Sequence, residues 1–132
     1  MGPATGTTMN VVRVSDEVDW SRSTYVGRRN RMVQGRPGAD GRFANPFPLA
    51  GTSDRDRYEA IVAFADWVRG DSARAHGVRA AVGGLIGRDL VCWCAPRRCH
   101  GEILRALAGV GPGVEAVLES MRIELVGESL FD

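Results

Sequence analysis

"RDLVCWCAPRRCHGEIL", residues 88–104, gathers all three cysteines and one of the two histidines of the chain at a single change of local structure. Its first half reads as a strand, with Leu90, Cys92 and Cys94 on one face and Val91 and Trp93 on the other, since successive strand side chains point to opposite sides. Both faces are apolar. A strand buried on both sides sits in the middle of a covered sheet, which favours an α/β fold over an open antiparallel sheet. Pro96 then forces a turn, and Cys99 and His100 fall at the start of a helix predicted over residues 99–108, with Gly109 as its stop.

On the N-terminal side, "NVVRV" (10–14) and "STYVG" (23–27) are β-branched runs bounded by polar or glycine residues and read as short strands. Residues 28–51, "RRNRMVQGRPGADGRFANPFPLAG", follow neither period, and a loop this long inside a compact domain is a site candidate. Ser53 as N-cap, Asp54 and Asp56 in the first turn, and Tyr58, Ile61, Phe64, Ala65 and Val68 at helical spacing predict a helix over 53–69. An Ala-rich helix over 72–86 ends at Gly87, and a short one over 113–120 leads into "MRIELVG" (121–127), read as the last strand. "GVGPGVEA" (109–116) imitates a phosphate-binding glycine loop, yet it follows a helix and reads as helix stop and restart. The expected order is β-β-α-α-β-α-α-β. It makes residues 1–132 one α/β domain, a Rossmann-like three-layer sandwich with a mostly parallel central sheet and an Arg/Gly/Pro-rich loop at 28–51.

With 44% hydrophobic and 25% charged residues the composition is that of an ordinary globule, and no apolar run approaches the about 18 residues of a membrane span. The first twenty residues lack the apolar core and small-residue cleavage site of a secretion signal, so the expected location is the cytoplasm. Three cysteines in that setting favour ligand, catalytic or buried thiols over disulfides. All 17 basic residues are Arg, and six of them fall between Arg22 and Arg42 against one acid, Asp40, so that stretch carries +5 and the rest −4. So local a concentration suggests a pocket for phosphate or carboxylate instead of a duplex-coating surface, although a solvated Arg-rich loop gives the same pattern.

Three chemistries fit the turn at 92–104. Cys92, Cys94, Cys99 and His100 are the donors of a Cys₃His zinc site, but four ligands in one short segment depart from the spacing of zinc ribbons and fingers. Alternatively, free N–H groups at 100–102, the helix dipole, Arg97 and Arg98 would attract an anion, His100 would add a donor, and the same field would favour a Cys99 thiolate. Cys99 and His100, as helix neighbours, should not face each other, so a base for Cys99 must come from His76 or an acid of the long loop. In the structural alternative Cys92 and Cys94 fill the core and Cys99 is an N-cap paired with Glu102.

"TYVGR" (24–28), "NPF" (45–47) and "DLVCWCAPRRCHGEIL" (89–104) resemble the family described as domain of unknown function 4326, common in actinobacteria and their phages, across residues 10–108. That family carries a Tyr-(Val/Ile)-Gly-Arg strand end, a Gly-Asn-Pro-Phe loop and a Cys-Trp-Cys-x-Pro-x-x-Cys-His-(Gly/Ala) turn. The resemblance implies Gly27, Arg28, Asn45, Pro46, Phe47, Cys92, Cys94, Pro96, Cys99, His100 and Gly101 as its motif positions here. Ala44 stands at the loop glycine, and the insert before it is longer than the family's link. The Cys-His turn is also faintly similar to that of another Rossmann-like family, which implies a nucleotide or nucleic-acid link by association.

Two function classes are expected. The first is a hydrolase or transferase acting at a glycosidic or phosphate bond of a nucleotide, nucleoside or nucleic-acid base, in a crevice at strand carboxyl ends. In it Arg28 clamps an oxyanion, Cys99 and His100 serve catalysis, Asn45 reads a polar edge, and Gly27, Phe47, Arg97, Arg98 and Gly101 complete the substrate site. Its partner is a nucleotide-like small molecule or single-stranded nucleic acid, in a bacterial host cell if the chain is phage-encoded. The second is a non-catalytic nucleotide- or protein-binding module, zinc-stabilised through Cys92, Cys94, Cys99 and His100 if a metal is present.

Overall fold

Three short strands, β1 (Val11–Arg13), β2 (Ser23–Tyr25) and β3 (Asp89–Cys92), form a parallel sheet in the order β1-β3-β2 in the computed structural model, which describes residues 8–15 and 17–131. The remaining ends of the domain expected over 1–132 lie outside the described residues. β3 takes the centre, as its two apolar faces require, with Val91 in register with Val12 on one side and Tyr25 on the other.

Leu90 and Cys92 face a core built with four helices, α1 (Asp54–Val68), α2 (Ala73–Ala81), α3 (Gly101–Leu107) and α4 (Val114–Phe131). Val91 points the other way, onto Tyr25 and Val33, with Val14, Val18, Trp20 and Trp93 around them. The fold is therefore a mixed α/β one, and the cover on the Val91 face is irregular. It consists of the short β1–β2 crossover and the 28–51 loop, whose Gly and Pro content leaves room for one 3₁₀ turn at Arg31–Val33. This loop is held tightly. The Tyr25 N–H donates to the Pro37 carbonyl at 2.8 Å, and Gly38, at φ +82°, brings its backbone so close that a Cβ there would lie 2.1 Å from the Tyr25 oxygen.

The first helix starts at its expected cap. Ser53 accepts from the Asp56 N–H at 3.0 Å while Asp56 accepts from the Ser53 N–H at 3.3 Å, a capping box on α1. Ser72 caps α2 by accepting from the Ala75 N–H at 3.1 Å, and the stretch expected to continue as helix to residue 86 tightens into a 3₁₀ turn over Val82–Leu85 before Gly87 at φ +81°.

The C-terminal region departs from expectation. The short helix expected over 113–120 and the strand expected over 121–127 are one continuous helix, α4. "MRIELVG" alternates apolar and polar residues, but Met121 is 3% exposed and Ile123 57%, so its i, i+2 positions do not share a buried face. Val114, Val117, Leu118 and Met121 do, at helical spacing, against the core of α1 and α3. An Arg122–Glu119 ion pair one turn apart lies on the solvent side. No helix among the described residues is long and apolar enough to cross a membrane.

Candidate functional site

Parallel strands deliver their carboxyl ends to one edge of the sheet. Beyond β2 and β3 at that edge lies a cavity of about 420 Å³, a size suited to a small molecule. Tyr25, Gly27 and Arg28 reach it from β2, and Cys92, Trp93 and Cys94 from β3. Asn45, Phe47 and Leu49 of the long loop, Arg57 and Ile61 of α1, and Cys99 with His100 close it. Arg28, Arg29, Arg57 and Arg98 all line it, and none of the described lining residues is acidic.

Most of the expected site residues thus meet: Gly27, Arg28, Asn45, Phe47, Cys92, Cys94, Arg98, Cys99 and His100. Two do not. Arg97 faces a separate, smaller cavity beside Pro96, and Gly101 is buried where a Cβ would lie 3.3 Å from both methyls of Val11. Arg98 contributes only an edge, because its guanidinium binds Glu102 at 2.9 Å, Ser120 at 2.7 Å and Glu124, pinning the start of α3 to α4. Asn45 is also engaged at both ends of its amide: Nδ2 donates to the Ala60 carbonyl at 3.1 Å and Oδ1 accepts from the Phe47 N–H at 2.9 Å. Arg28 reaches the Asn45 carbonyl at 3.4 Å and is otherwise open to the rim.

Tyr25 organises the wall below Arg28. Its hydroxyl donates to the Arg28 carbonyl at 2.6 Å and accepts from Trp93 Nε1 at 2.9 Å, and burial pushes the phenol above its ordinary range. A Cβ on Gly27 would lie 2.6 Å from that hydroxyl, so glycine lets the chain pass over the ring.

His100 is buried with its ring edge against Phe64, centroids 5.0 Å apart. Nε2 lies 2.8 Å from the Val26 carbonyl and 3.0 Å from the Phe43 carbonyl; carbonyls only accept, so Nε2 carries the hydrogen. Burial pushes the imidazole below its ordinary range, leaving Nδ1 as a neutral acceptor. Nδ1 sits 3.5 Å from Cys99 Sγ. The expectation that these neighbours would not face each other is overturned, because α3 begins only at Gly101 and helical spacing does not govern the two residues before it.

The helix-start anion site changes too. The Gly101 N–H donates to Cys99 Sγ at 3.3 Å and the Glu102 N–H to the Cys99 carbonyl at 3.0 Å, so two of the three groups expected to be free are used within the turn. Glu102 accepts from the Cys99 N–H at 3.3 Å, one half of the capping-box-like pair read from the sequence, while the cap itself falls on His100 and not on Cys99. His76 is exposed on α2 beside Arg79 and Asp40 is paired with Arg42; neither lines the cavity, so neither supplies a base for Cys99.

All three cysteines are free thiols. Cys92 and Cys99 are each 2% exposed, whereas Cys94 is half-buried at the cavity wall. Their sulfurs interact. Cys92 and Cys94 push Cys99 up, Cys94 pushes Cys92 up, and Cys94 itself is held far below the ordinary thiol range by the Cys92 and Cys99 thiols, with Arg57 adding to them. Among the described residues no three His, Cys, Asp or Glu side chains form a group that could hold a metal ion.

Sequence reasoning missed Arg29 and Arg57. A signal for Arg57 existed, since it lies at i, i+4, i+7 and i+11 with Ile61, Phe64 and Val68 on the inward face of α1.

These features define a small α/β protein with an arginine-lined, thiol-floored cavity at the carboxyl ends of parallel strands. The model of the family described as Domain of unknown function (DUF4326) matches residues 9–109, and the chain belongs to that family. No curated protein and no solved structure matches it.

Proposed function

We propose that the protein is an enzyme acting on a nucleotide, nucleoside or nucleic-acid base, as a hydrolase or transferase at a glycosidic or phosphate bond, within a Rossmann-like domain. One observation carries this reading: a ligand-sized cavity at strand carboxyl ends holds four arginines and no carboxylate among its described lining residues. Arg98 is neutralised by its own acids, which leaves Arg28, Arg29 and Arg57 to attract an anion such as phosphate. Phe47, Leu49 and Trp93 offer an apolar wall for a base. His100, with Nε2 committed to two carbonyls, acts by holding Cys99 and the cavity floor in place. On this reading the free thiols belong in a reducing cytoplasm, that of a bacterial host.

A thermal-shift screen of nucleoside mono-, di- and triphosphates, nucleosides and short single-stranded oligonucleotides tests it. At a hundredfold excess over Kd a binder stabilises the native state by about 2.7 kcal/mol, readily seen as a raised Tm. No shift with any nucleotide, or a shift indifferent to Arg28→Ala and Arg57→Ala, overturns the proposal.

A further inference from the structure

We propose that this chain takes a single-stranded nucleic acid, and that the base flanking the nucleotide in the first cavity stacks on Trp20 in a second hollow. The proposal rests on the nucleotide reading for the first cavity and narrows its substrate class to a single strand; the second hollow stands on geometry of its own. A cavity of about 560 Å³ opens beside Val14 and Trp93, the residues that follow β1 and β3, and extends to Trp20 of the β1–β2 crossover. Trp93 lines both cavities. The start of the 3₁₀ turn serves both as well, since Asn30, its cap, lines the first and Met32 the second. The two hollows are therefore neighbours with one indole between them, and that indole is fixed, because its Nε1 donates to the Tyr25 hydroxyl at 2.9 Å.

The lining is that of a stacking site. Trp20 and Trp93 are half-buried, Met32 is 76% exposed, and the Arg36 guanidinium stands 5.5 Å from the centre of the Trp20 ring, within cation–π reach. An indole with a cation beside it holds a base by its π-face and the adjoining phosphate by charge, whatever the base. Arg36 is exposed and forms no ion pair among the described residues. Residues 28–36 hold four arginines, Arg28, Arg29, Arg31 and Arg36, and no acid, so positive charge runs from one hollow to the other along the path of a linking phosphate. Asp19 is the acid of the described lining, and its Oδ1 accepts from the Ser21 N–H at 3.1 Å and the Ser21 hydroxyl at 2.6 Å. A carboxylate repels phosphate and accepts from an exocyclic amine, so the base edge belongs at Asp19 and the phosphate at Arg36. A duplex keeps its bases stacked on one another and has none to offer.

Fluorescence anisotropy of the full chain with fluorescein-labelled octamers of mixed sequence, one DNA and one RNA, tests this, with the four nucleoside monophosphates titrated by calorimetry alongside. The tighter octamer is expected to bind at least about tenfold more strongly than any mononucleotide. Trp20→Ala is expected to weaken the octamer about 5- to 150-fold, as loss of one stacked base does, and to change mononucleotide binding less than about twofold. Trp20 also packs against the Val91 face, so two milder variants accompany it. Trp20→Phe keeps a ring and is expected to restore most of the affinity. Arg36→Ala is expected to lower the slope of log Kd against log salt by about 0.7, the share of one phosphate on a single strand. Mononucleotide binding that needs Arg28, beside an octamer that binds no more tightly or is indifferent to Trp20→Ala and Arg36→Ala, overturns the second site and leaves the first reading intact. An octamer weakened by Trp20→Ala but not by Arg28→Ala upholds the stacking site and removes the nucleotide from the first cavity. Equal affinity for the same octamer as a duplex overturns the single-strand assignment, and no binding of octamer or mononucleotide overturns both readings.

Discussion

The Nε2–H of His100 is shared between the Val26 carbonyl at 2.8 Å and the Phe43 carbonyl at 3.0 Å, so one imidazole ties the turn before α3 to the end of β2 and to the long loop. The edges of the cavity are joined at that nitrogen. His100→Ala leaves two buried carbonyls without a donor and a void beside Phe64, and is expected to cost about 2–4 kcal/mol, read as a lowered urea midpoint.

The same burial sets a pH dependence. The folded imidazole titrates below its ordinary 6.5, so just under that pH the unfolded chain binds a proton that the native one does not. Stability from this residue is complete above 6.5 and is lost as pH falls through the folded value. Cys94, also depressed, contributes with the same sign over a range that extends up to its ordinary 9.0. The histidine share is isolated by comparison: ΔG of unfolding falls more steeply from pH 6.5 downward in the wild type than in His100→Gln, by at most about 1.4 kcal/mol per pH unit for one proton.

Gly38 decides whether the long loop can lie against β2. Gly38→Ala places a Cβ on the Tyr25 carbonyl and strains a φ of +82°, so a loss of at least about 2 kcal/mol is expected, with raised hydrogen exchange at the Tyr25 amide that donates to Pro37. Gly35→Ala is the control: its φ is nearly the same, +83°, but nothing lies within 4 Å, and it should show only the strain.

The helical reading of the C-terminal segment separates two residues that a strand would put on one face. Met121→Gln buries an amide in the α1–α4 contact and is expected to cost about 2–4 kcal/mol, while Ile123→Gln stays within about 0.5 kcal/mol. Equal costs for the two would refute the packing.

Cationic roles around the cavity are equally separable. Arg28→Ala and Arg57→Ala each remove a charge-assisted contact worth about 1.5–3 kcal/mol and should weaken nucleotide binding about 10- to 150-fold. Arg97→Ala, which faces the other cavity, should leave it within about twofold. Calorimetric titration distinguishes the three.

Local chemistry determined much of this protein without its coordinates. The two apolar faces of Leu90, Val91 and Cys92 put that strand in the middle, Ser53 marked a helix start, and the Cys-His turn marked the cavity, to which the family resemblance added Gly27, Arg28, Asn45 and Phe47. Caps, alternation and turn residues act over a few positions, so a linear reading reaches them. Tertiary structure alone decided the rest. It made one helix of the segment after Gly113, since which apolar pattern is used depends on what lies across from it; it turned the His100 hydrogen inward to Val26 and Phe43; and it brought Cys92, Cys94 and Cys99 to one cavity, burying the first and last and leaving Cys94 half-buried. Burial and charge coupling belong to groups brought together from distant positions, and sequence spacing carries no record of them.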